Sequence, residues 1–232
     1  MRLSTFIAKK ESVIGNEIVL NEDINHMKNV LRLGKGDAVR VIDGENEYFC
    51  RINEVRKGEA LLAIEEKGDK IEQKSDVTAA VSILKSGPLS TLIQKLTELG
   101  ISKFIPLLTS RTSVKEFNHG RWSKVSREAL KQCGGISFMD IEDISKIDEI
   151  PFEEYSTKIV AYEGEKEAPF SSAGNIKNRG KIIYVVGPEG GFEGDEINFL
   201  KNKGFKTITL GERILRSETA AILLGGGLVN GW

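Results

Sequence analysis

The sequence predicts an α/β protein in which a small β-barrel precedes a larger α/β domain, and three observations support this prediction. Short runs of alternating apolar and polar side chains occupy residues 1–70, as is typical of β-strands. A polar and charged segment, Lys67–Asp76, follows and is typical of a linker. Beyond it, strand-like runs alternate with amphipathic helical patterns. We therefore predict two domains, at residues 1–70 and 76–232.

The elements of the predicted barrel follow from local patterns. Alternation with a period of two predicts strands at Ala38–Ile42 and Tyr48–Ile52. The dipeptide Asp43-Gly44 between them predicts a hairpin turn, because glycine accepts a positive φ. We predict a further strand at Leu61–Ile64 and a short helix at His26–Leu31.

The second domain alternates strands and helices, which predicts a parallel sheet. The predicted strands are Thr78–Leu84, Lys103–Leu108, Lys158–Tyr162, Lys181–Val186 and Lys206–Leu210. The predicted helices lie at Leu89–Leu99, Trp122–Leu130, Asp195–Lys203 and Ser217–Val229. Gly100 is expected to cap the first helix, and Pro106 suggests that its strand is an edge strand or ends there.

The composition excludes several classes of protein. Cys50 and Cys133 are the only cysteines and His26 and His119 the only histidines, too few for a disulfide framework or a structural zinc site. We expect free thiols and no metal. No apolar run approaches the roughly 20 residues of a membrane-spanning helix. No signal-type stretch begins the sequence, so we expect a cytoplasmic protein without a membrane anchor.

Charge is unevenly distributed along a chain whose net charge is only −1. Such a balance does not by itself predict a nucleic-acid binder. However, basic side chains cluster at residues 111–131 and acidic ones at residues 140–154. The basic cluster could hold RNA phosphates, or both clusters could be solvated helix faces of opposite sign.

Two glycine-containing segments follow predicted strands, Val186–Phe192 and Leu210–Ala220. Ligands of open α/β sheets bind at the carboxyl ends of strands, where such loops expose their backbone. The first segment lacks the Gly-Lys-Ser/Thr ending of a phosphate-binding P-loop and the spacing of a dinucleotide fingerprint. Taken alone, a glycine-rich loop is weak evidence for a site, and a structural turn is the better interpretation.

Arg213 and Arg216 precede a predicted helix start at Ser217. Two guanidinium groups beside a ligand loop suit a phosphate or a developing oxyanion. They could instead form ion pairs with Glu189 or Glu212. Further along, Gly225–Gly227 would be costly inside a helix, which indicates either close packing or fraying near the C-terminus.

These segments carry a resemblance to a known family. The paired signature of RsmE-type rRNA uracil-N3 methyltransferases resembles two segments of this chain: Val186-Gly187-Pro188-Glu189-Gly190-Gly191-Phe192 with Glu196, and Leu210-Gly211-Glu212-Arg213-Ile214-Leu215-Arg216-Ser217-Glu218-Thr219-Ala220. The family pattern continues upstream in Gln94–Ile101, Pro106, Arg111, Arg121-Trp122, Glu128-Ala129 and Gln132. In the N-terminal region it continues in His26, Val30-Leu31-Arg32, Gly36-Asp37 and Asp43-Gly44. The resemblance therefore covers nearly the whole chain.

The resemblance implies a trefoil-knotted SPOUT α/β domain after a PUA-like RNA-binding barrel. It implies a homodimer that uses S-adenosylmethionine, without a metal, to methylate a uridine of 16S rRNA in the 30S subunit. The implied cofactor-binding residues are Glu163, Gly187, Pro188, Gly191, Leu210, Gly211, Ile214, Leu215, Thr219 and Ala220. Arg216 is the first candidate for the catalytic cation and Arg213 the second. The implied RNA-binding residues are Arg2, Arg32, Arg111, Arg121 and Lys124.

One segment departs from the family pattern. Family members usually carry an arginine shortly after the glutamine that matches Gln132, whereas Cys133-Gly134-Gly135 stands here. This leaves open a second hypothesis, an RNA-binding assembly factor that has lost catalysis. A third hypothesis is an anion- or nucleotide-binding α/β protein unrelated to RNA. No general base is evident from the sequence, although Glu189 is a candidate.

Overall fold

The structure, a computed structural model, describes residues 3–68, 76–173 and 180–230 of the chain. The chain divides into two compact units. Residues 1–72 and Leu130–Phe138 form the first, and residues 73–129 and 139–232 form the second. The predicted linker falls mostly on residues 69–75, outside the described residues, so the domain boundary stays a prediction.

The first unit is built on a mainly antiparallel six-stranded sheet with the order β1-β4-β5-β6-β3-β2. Its strands are β1 (Thr5–Ile7), β2 (Val13–Ile14), β3 (Glu17–Leu20), β4 (Ala38–Ile42), β5 (Glu47–Val55) and β6 (Ala60–Lys67). β1 pairs with β4 in parallel. The three predicted strands are confirmed as β4 and the central parts of β5 and β6. The short strands β1 to β3 were not predicted, because runs of two to four residues carry little periodicity.

The β4–β5 hairpin forms at the predicted turn. Gly44 has a φ of 94°, which only glycine adopts without strain. The Asp43 carboxylate accepts the backbone N–H groups of Glu45 and Asn46 at 2.9 and 2.7 Å, and these bonds close the turn. The helix predicted at His26–Leu31 is present as a single wide turn, a π-helix over His26–Val30.

The segment Leu130–Phe138 also belongs to the first unit. No sequence pattern indicated this assignment. Leu130 and Ile136 form a small buried cluster with Ile42 of β4. The buried Arg40 donates from Nη2 to the carbonyl oxygens of Gly134 and Gly135, both at 3.1 Å. The stretch that departs from the family pattern is therefore held by an arginine of β4.

The second unit contains a parallel sheet with the order β10-β8-β7-β12-β11-β13, and β9 also pairs with β8. Its strands are β7 (Val77–Ser82), β8 (Lys103–Leu108), β9 (Asp140–Ile141), β10 (Ser145–Lys146), β11 (Thr157–Ala161), β12 (Ile182–Val186) and β13 (Lys206–Ile208). The five predicted strands are confirmed to within two residues at each end. The two-residue strands β9 and β10 were not predicted.

The helices are α1 (Ser86–Leu99), α2 (His119–Cys133), α3 (Gly194–Asn202) and α4 (Ser217–Asn230). Residues of α1 and α4 pack in one hydrophobic cluster with one face of the sheet, and those of α3 pack in a second cluster with the other face. Strands buried on both faces explain the continuous apolar runs in the sequence. Gly100 has a φ of 79° and ends α1, as predicted.

Pro106 lies in a strand that is paired on both sides, so the prediction of an edge strand or a strand end was wrong. β9 pairs with residues 103 and 104 of β8, and β10 pairs with residues 107 and 108. The Phe104 carbonyl accepts from Glu142 and the Leu107 carbonyl accepts from Ile83 of the β7 side. The backbone N–H and C=O groups of successive strand residues point alternately to the two neighbouring strands, so the nitrogen of Pro106 points to the same side as the Phe104 carbonyl. On that side Pro106 lies in the gap between β9 and β10, where its missing N–H breaks no ladder bond.

The three glycines of α4 are buried, which supports close packing rather than fraying. A Cβ on Gly225 would lie 2.9 Å from the Tyr184 hydroxyl and 3.3 Å from Ile101. A Cβ on Gly227 would lie 2.5 Å from the Phe170 ring. The Tyr184 hydroxyl also donates to the Ala221 carbonyl at 3.0 Å. Only glycine allows the backbone of α4 to come this close to its neighbours.

Candidate functional site

Three neighbouring strands of the parallel sheet end at the same edge. Ala161, the last residue of β11, is in register with Val186 of β12 and with Ile208 of β13. The loops that follow these strands therefore start side by side. The carboxyl edge of a parallel sheet is the usual place for a ligand site.

The three loops enclose a cavity of about 530 Å³. Its lining comes from the ends of the strands, from the loops after them and from the start of α4. The lining residues are Ala161, Tyr162, Glu163, Glu165, Lys166, Val186, Gly187, Pro188, Gly191, Phe192, Ile208, Thr209, Leu210, Gly211, Glu212, Arg213, Ile214, Leu215, Ser217 and Ala220. The volume is within the range of about 300–1,000 Å³ that is usual for small-molecule sites.

The loop after β12, which we call the glycine loop (residues 187–193), requires its glycines. Gly191 has a φ of 71° and donates its N–H to the Pro188 carbonyl at 2.9 Å. A Cβ on Gly191 would lie 2.5 Å from Oε1 of Glu163, and a Cβ on Gly187 would lie 2.8 Å from the Phe192 ring. These contacts bring backbone atoms directly to the cavity wall.

Glu165 is a cavity residue that sequence reasoning missed. Its Oε1 accepts the backbone N–H groups of the next three residues, Lys166, Glu167 and Ala168, at 3.0–3.2 Å. Its Oε2 accepts the Thr207 hydroxyl at 2.7 Å. The N–H of Glu167, the Thr207 hydroxyl and the neighbouring N–H groups lower the pKa of Glu165 to about 2. The carboxylate therefore stays ionised and holds the β11 loop in shape.

The other missed lining residues are mostly strand ends and their immediate neighbours. The carboxyl ends of neighbouring parallel strands lie along one edge of the sheet, so the ends of the predicted strands were a signal for these residues. They are Ala161, Lys166, Ile208 and Thr209. Tyr162, beside Glu163, and Val186, Phe192, Glu212 and Ser217 of the two signature segments also line the cavity.

The cavity brings together all the expected cofactor-binding residues except one. Nine line it, namely Glu163, Gly187, Pro188, Gly191, Leu210, Gly211, Ile214, Leu215 and Ala220. Thr219 lies on α4 with an exposed side chain and is outside the lining. Ile214 is 85% exposed, so the cavity wall presents an apolar side chain to solvent at this point.

The two candidate catalytic arginines differ in position. Arg213 lines the cavity. The Arg216 side chain is 81% exposed and is not part of the lining. Its Nη1 lies 4.0 Å from Oε1 of Glu218, whereas Glu189 and Glu212 were the alternative partners named from the sequence. Glu189 is exposed and also lies outside the lining.

The expected RNA-binding residues are distributed over both units. Arg2 lies outside the described residues. Arg32 is exposed, with a positive φ of 56°. The Arg121 guanidinium lies 4.5 Å from the centre of the Trp122 ring, and Lys124 is exposed. Arg111 differs, because it binds Glu193 and the Gly190 carbonyl.

Across residues 3–68, 76–173 and 180–230, no group of three or more His, Cys, Asp or Glu side chains is arranged to hold a metal ion. In the same ranges, no helix is both long enough and apolar enough to cross a membrane.

Comparison with known proteins identifies the family. Residues 71–228 match the model of an RNA methyltransferase domain, and residues 19–65 match that of an RNA methyltransferase PUA domain. A protein of Rickettsia conorii named ribosomal RNA small subunit methyltransferase E is 34% identical over 89% of this chain and 86% of its own.

Solved structures show the same fold. A Legionella pneumophila protein described as a methyltransferase, in complex with the bound cofactor SAM, has a TM-score of 0.88 at 25% identity, covering 98% of this chain and 97% of its own. The Neisseria gonorrhoeae ribosomal RNA small subunit methyltransferase E, bound to S-adenosyl methionine, has a TM-score of 0.88 at 24% identity, covering 100% and 98%. The predicted fold class is confirmed: a SPOUT α/β methyltransferase domain with an N-terminal PUA-like domain. The chain thus belongs to the family of RNA methyltransferases that includes the ribosomal RNA small subunit methyltransferases E.

Proposed function

We propose that this protein transfers a methyl group from S-adenosylmethionine to N3 of a uridine in 16S rRNA of the small ribosomal subunit. The observation that carries the proposal is the cavity at the β11–β12–β13 edge, which is lined mainly by the two segments of the family signature. Relatives named for methylation of small-subunit rRNA support the substrate class.

The cavity residues fit S-adenosylmethionine chemically. The aliphatic side chains of Leu210, Ile214 and Leu215 suit a purine ring, and the backbone exposed at the glycines can read its edge. The carboxylates of Glu163 and Glu165 on the wall complement the positive charges of the sulfonium and the amino group. S-adenosylmethionine supplies, when bound, an electrophilic methyl group.

The residues around the cavity must favour the uracil anion. Uracil N3 becomes a nucleophile when it loses its proton, and the resulting charge is shared with O2 and O4. A guanidinium that donates to one of these oxygens stabilises the anion. Arg213 lines the cavity, and the exposed Arg216 lies between the lining residues Leu215 and Ser217, which supports their assignment to a base that enters from solvent. We propose Arg216 as the main cation for this step and Arg213 as the second.

RNA binding is assigned to the PUA-like domain and to α2. We propose that the domain at residues 1–70 and the exposed Arg32, Arg121 and Lys124 hold rRNA phosphates. Family membership supports two further proposals, that the protein acts as a homodimer and that it works in the cytoplasm, where ribosomal subunits are assembled.

The test is methyl transfer from tritiated S-adenosylmethionine to 30S subunits, followed by nuclease digestion and identification of the methylated nucleoside. We expect one 3-methyluridine per subunit. Binding of S-adenosylmethionine without transfer to 30S subunits or free 16S rRNA would favour an assembly factor that has lost catalysis. A protein that does not bind S-adenosylmethionine at all would overturn the proposal.

A further inference from the structure

The glycine loop is tied to the turn after β8, which we call the β8 turn (Thr109–Thr112). The Arg111 guanidinium donates from Nε to Oε1 of Glu193 at 2.7 Å and from Nη1 to the Gly190 carbonyl at 2.6 Å. It therefore binds both a side chain and a backbone atom of the glycine loop. This geometry uses the fork of donors that a lysine does not have.

A second set of bonds holds the same two segments together. Oε1 of Glu196 in α3 accepts the N–H of Ser110 in the β8 turn, and its Oε2 accepts the N–H of Glu193, both at 2.8 Å. The Glu193 carboxylate in turn accepts from Arg111. The glycine loop, the start of α3 and the β8 turn thus form one hydrogen-bonded network.

The β8 turn is itself rigid, so it can act as an anchor. The N–H of Thr112 donates to the Thr109 carbonyl at 3.0 Å, and the N–H of Thr109 donates to the Thr112 hydroxyl at 2.9 Å. Thr112 is buried. Arg111 therefore extends from a closed turn whose backbone is fixed by reciprocal bonds.

The position of the bond to Gly190 connects this anchor with the cavity. Gly190 directly precedes Gly191, which lines the cavity and whose backbone fits only as glycine against Glu163. Arg111 and Glu193 do not line the cavity themselves. Their direct bonds reach a ligand site only through the glycine loop, and the charge-conserving variant Arg111→Lys separates this route from the through-space effect of the charge on Glu163.

We propose that Arg111 is a positioning residue that holds the glycine loop in its ligand-binding conformation, rather than a phosphate contact for RNA. The proposal rests on the proposed function for the identity of the ligand. The hydrogen bond to Glu193 raises the pKa of Arg111, so the guanidinium stays charged in this network. Because Nε is bonded to Glu193 and Nη1 to the Gly190 carbonyl, an RNA phosphate would have to compete with these two groups for the donors.

The first measurement is the Kd of S-adenosylmethionine by calorimetry. Arg111→Ala should weaken it about fivefold to tenfold, since the lost bonds are charge-assisted but half-exposed. Arg111→Lys keeps the charge but not the fork and should weaken it nearly as much. Lys115→Ala, which removes the same charge four residues further on, should leave the Kd unchanged. Arg111→Ala combined with Glu193→Gln should lose little more than Arg111→Ala alone, because the two side chains form one interaction.

A second measurement does not need the ligand. Amide hydrogen exchange of residues 187–193 in the unliganded protein should become faster in Arg111→Ala and stay unchanged in Lys115→Ala. If the wild-type protein binds no S-adenosylmethionine but Arg111→Ala still shows this faster exchange, the proposed function fails while the anchoring role stands. The inference is overturned if Arg111→Ala keeps both the Kd and the exchange of the wild-type protein, whatever happens to its affinity for rRNA.

Discussion

A substitution at Gly191 tests whether the backbone of the glycine loop forms the ligand site. The residue has a φ of 71°, a conformation that costs a non-glycine residue about 1–2 kcal/mol. In addition, a Cβ would lie 2.5 Å from Oε1 of Glu163, which also lines the cavity. The loop of a Gly191→Ala protein must therefore either leave its conformation or displace Glu163.

The strain sets the size of the expected effect. About 1–2 kcal/mol corresponds to a factor of roughly 5–30 in the population of the binding conformation. The apparent Kd rises by the same factor when the competent state becomes less populated. We therefore expect Gly191→Ala to weaken S-adenosylmethionine binding about 5- to 30-fold. Gly191→Val adds a branched side chain in the same place and should abolish measurable binding.

Calorimetric titration checks this expectation, with circular dichroism to establish that each variant is folded. Gly194→Ala is the matched control, because a Cβ there meets nothing within 4 Å and lies at the first residue of α3. It should bind like the wild-type protein. If folded Gly191→Val binds S-adenosylmethionine with undiminished affinity, the cavity is not the cofactor site and the reasoning from the glycine loop is refuted.

Other consequences can be tested separately. Arg216→Ala should lower the turnover of 30S methylation more than the affinity for rRNA, since a bond made only in the transition state affects turnover; lost affinity with full turnover at saturation would make Arg216 a phosphate contact instead. Arg121→Ala combined with Lys124→Ala should flatten the salt dependence of rRNA binding through lost counterion release, with the Kd of S-adenosylmethionine unchanged; an unaltered slope would remove α2 from the RNA surface. The pKa of Glu165 is lowered to about 2 in the folded protein, so its stabilising effect is complete above the unfolded value of about 4.5 and is lost as pH falls towards 2. The difference in unfolding temperature between wild type and Glu165→Gln should accordingly shrink between pH 5 and pH 2, and a pH-independent difference would contradict this. Gly225→Leu should lower the free energy of unfolding in urea by about 1–3 kcal/mol through overpacking, and a midpoint like that of the wild type would show that α4 has room beside it.

Much of the fold could be predicted because the long elements carry strong periodicity. The strands and helices of the second unit were placed within a few residues, since buried parallel strands and amphipathic helices have distinct patterns. Short elements such as β9 and β10 depend on tertiary pairing and leave no pattern. The prediction for Pro106 was wrong for a related reason. The strand next to β8 consists of two short pieces, β9 and β10, and the proline lies at the gap between them.

The site was only partly predictable for similar reasons. Glycines and aliphatic residues in the two signature segments could be assigned from the sequence, and most of them line the cavity. Glu165 could not, because its importance lies in bonds to three consecutive N–H groups and to Thr207, which is distant in the sequence. Arg111 was expected from the resemblance to bind RNA, and its bonds to Glu193 and Gly190 could not be read from the sequence, because these partners are about 80 residues away in the chain.

The glycines of α4 also bear on how this helix forms. Three glycines cost an isolated helix about 3 kcal/mol relative to alanines, so α4 has little tendency to form alone. Its contacts with Tyr184 of β12 and with Ile101 after α1 supply the stabilisation that the isolated helix lacks, so formation of α4 depends on docking against them. The loop that precedes α4 supplies the third wall of the cavity. A chain in which α4 is not docked would lack this wall, so docking of α4 and formation of the ligand site are coupled.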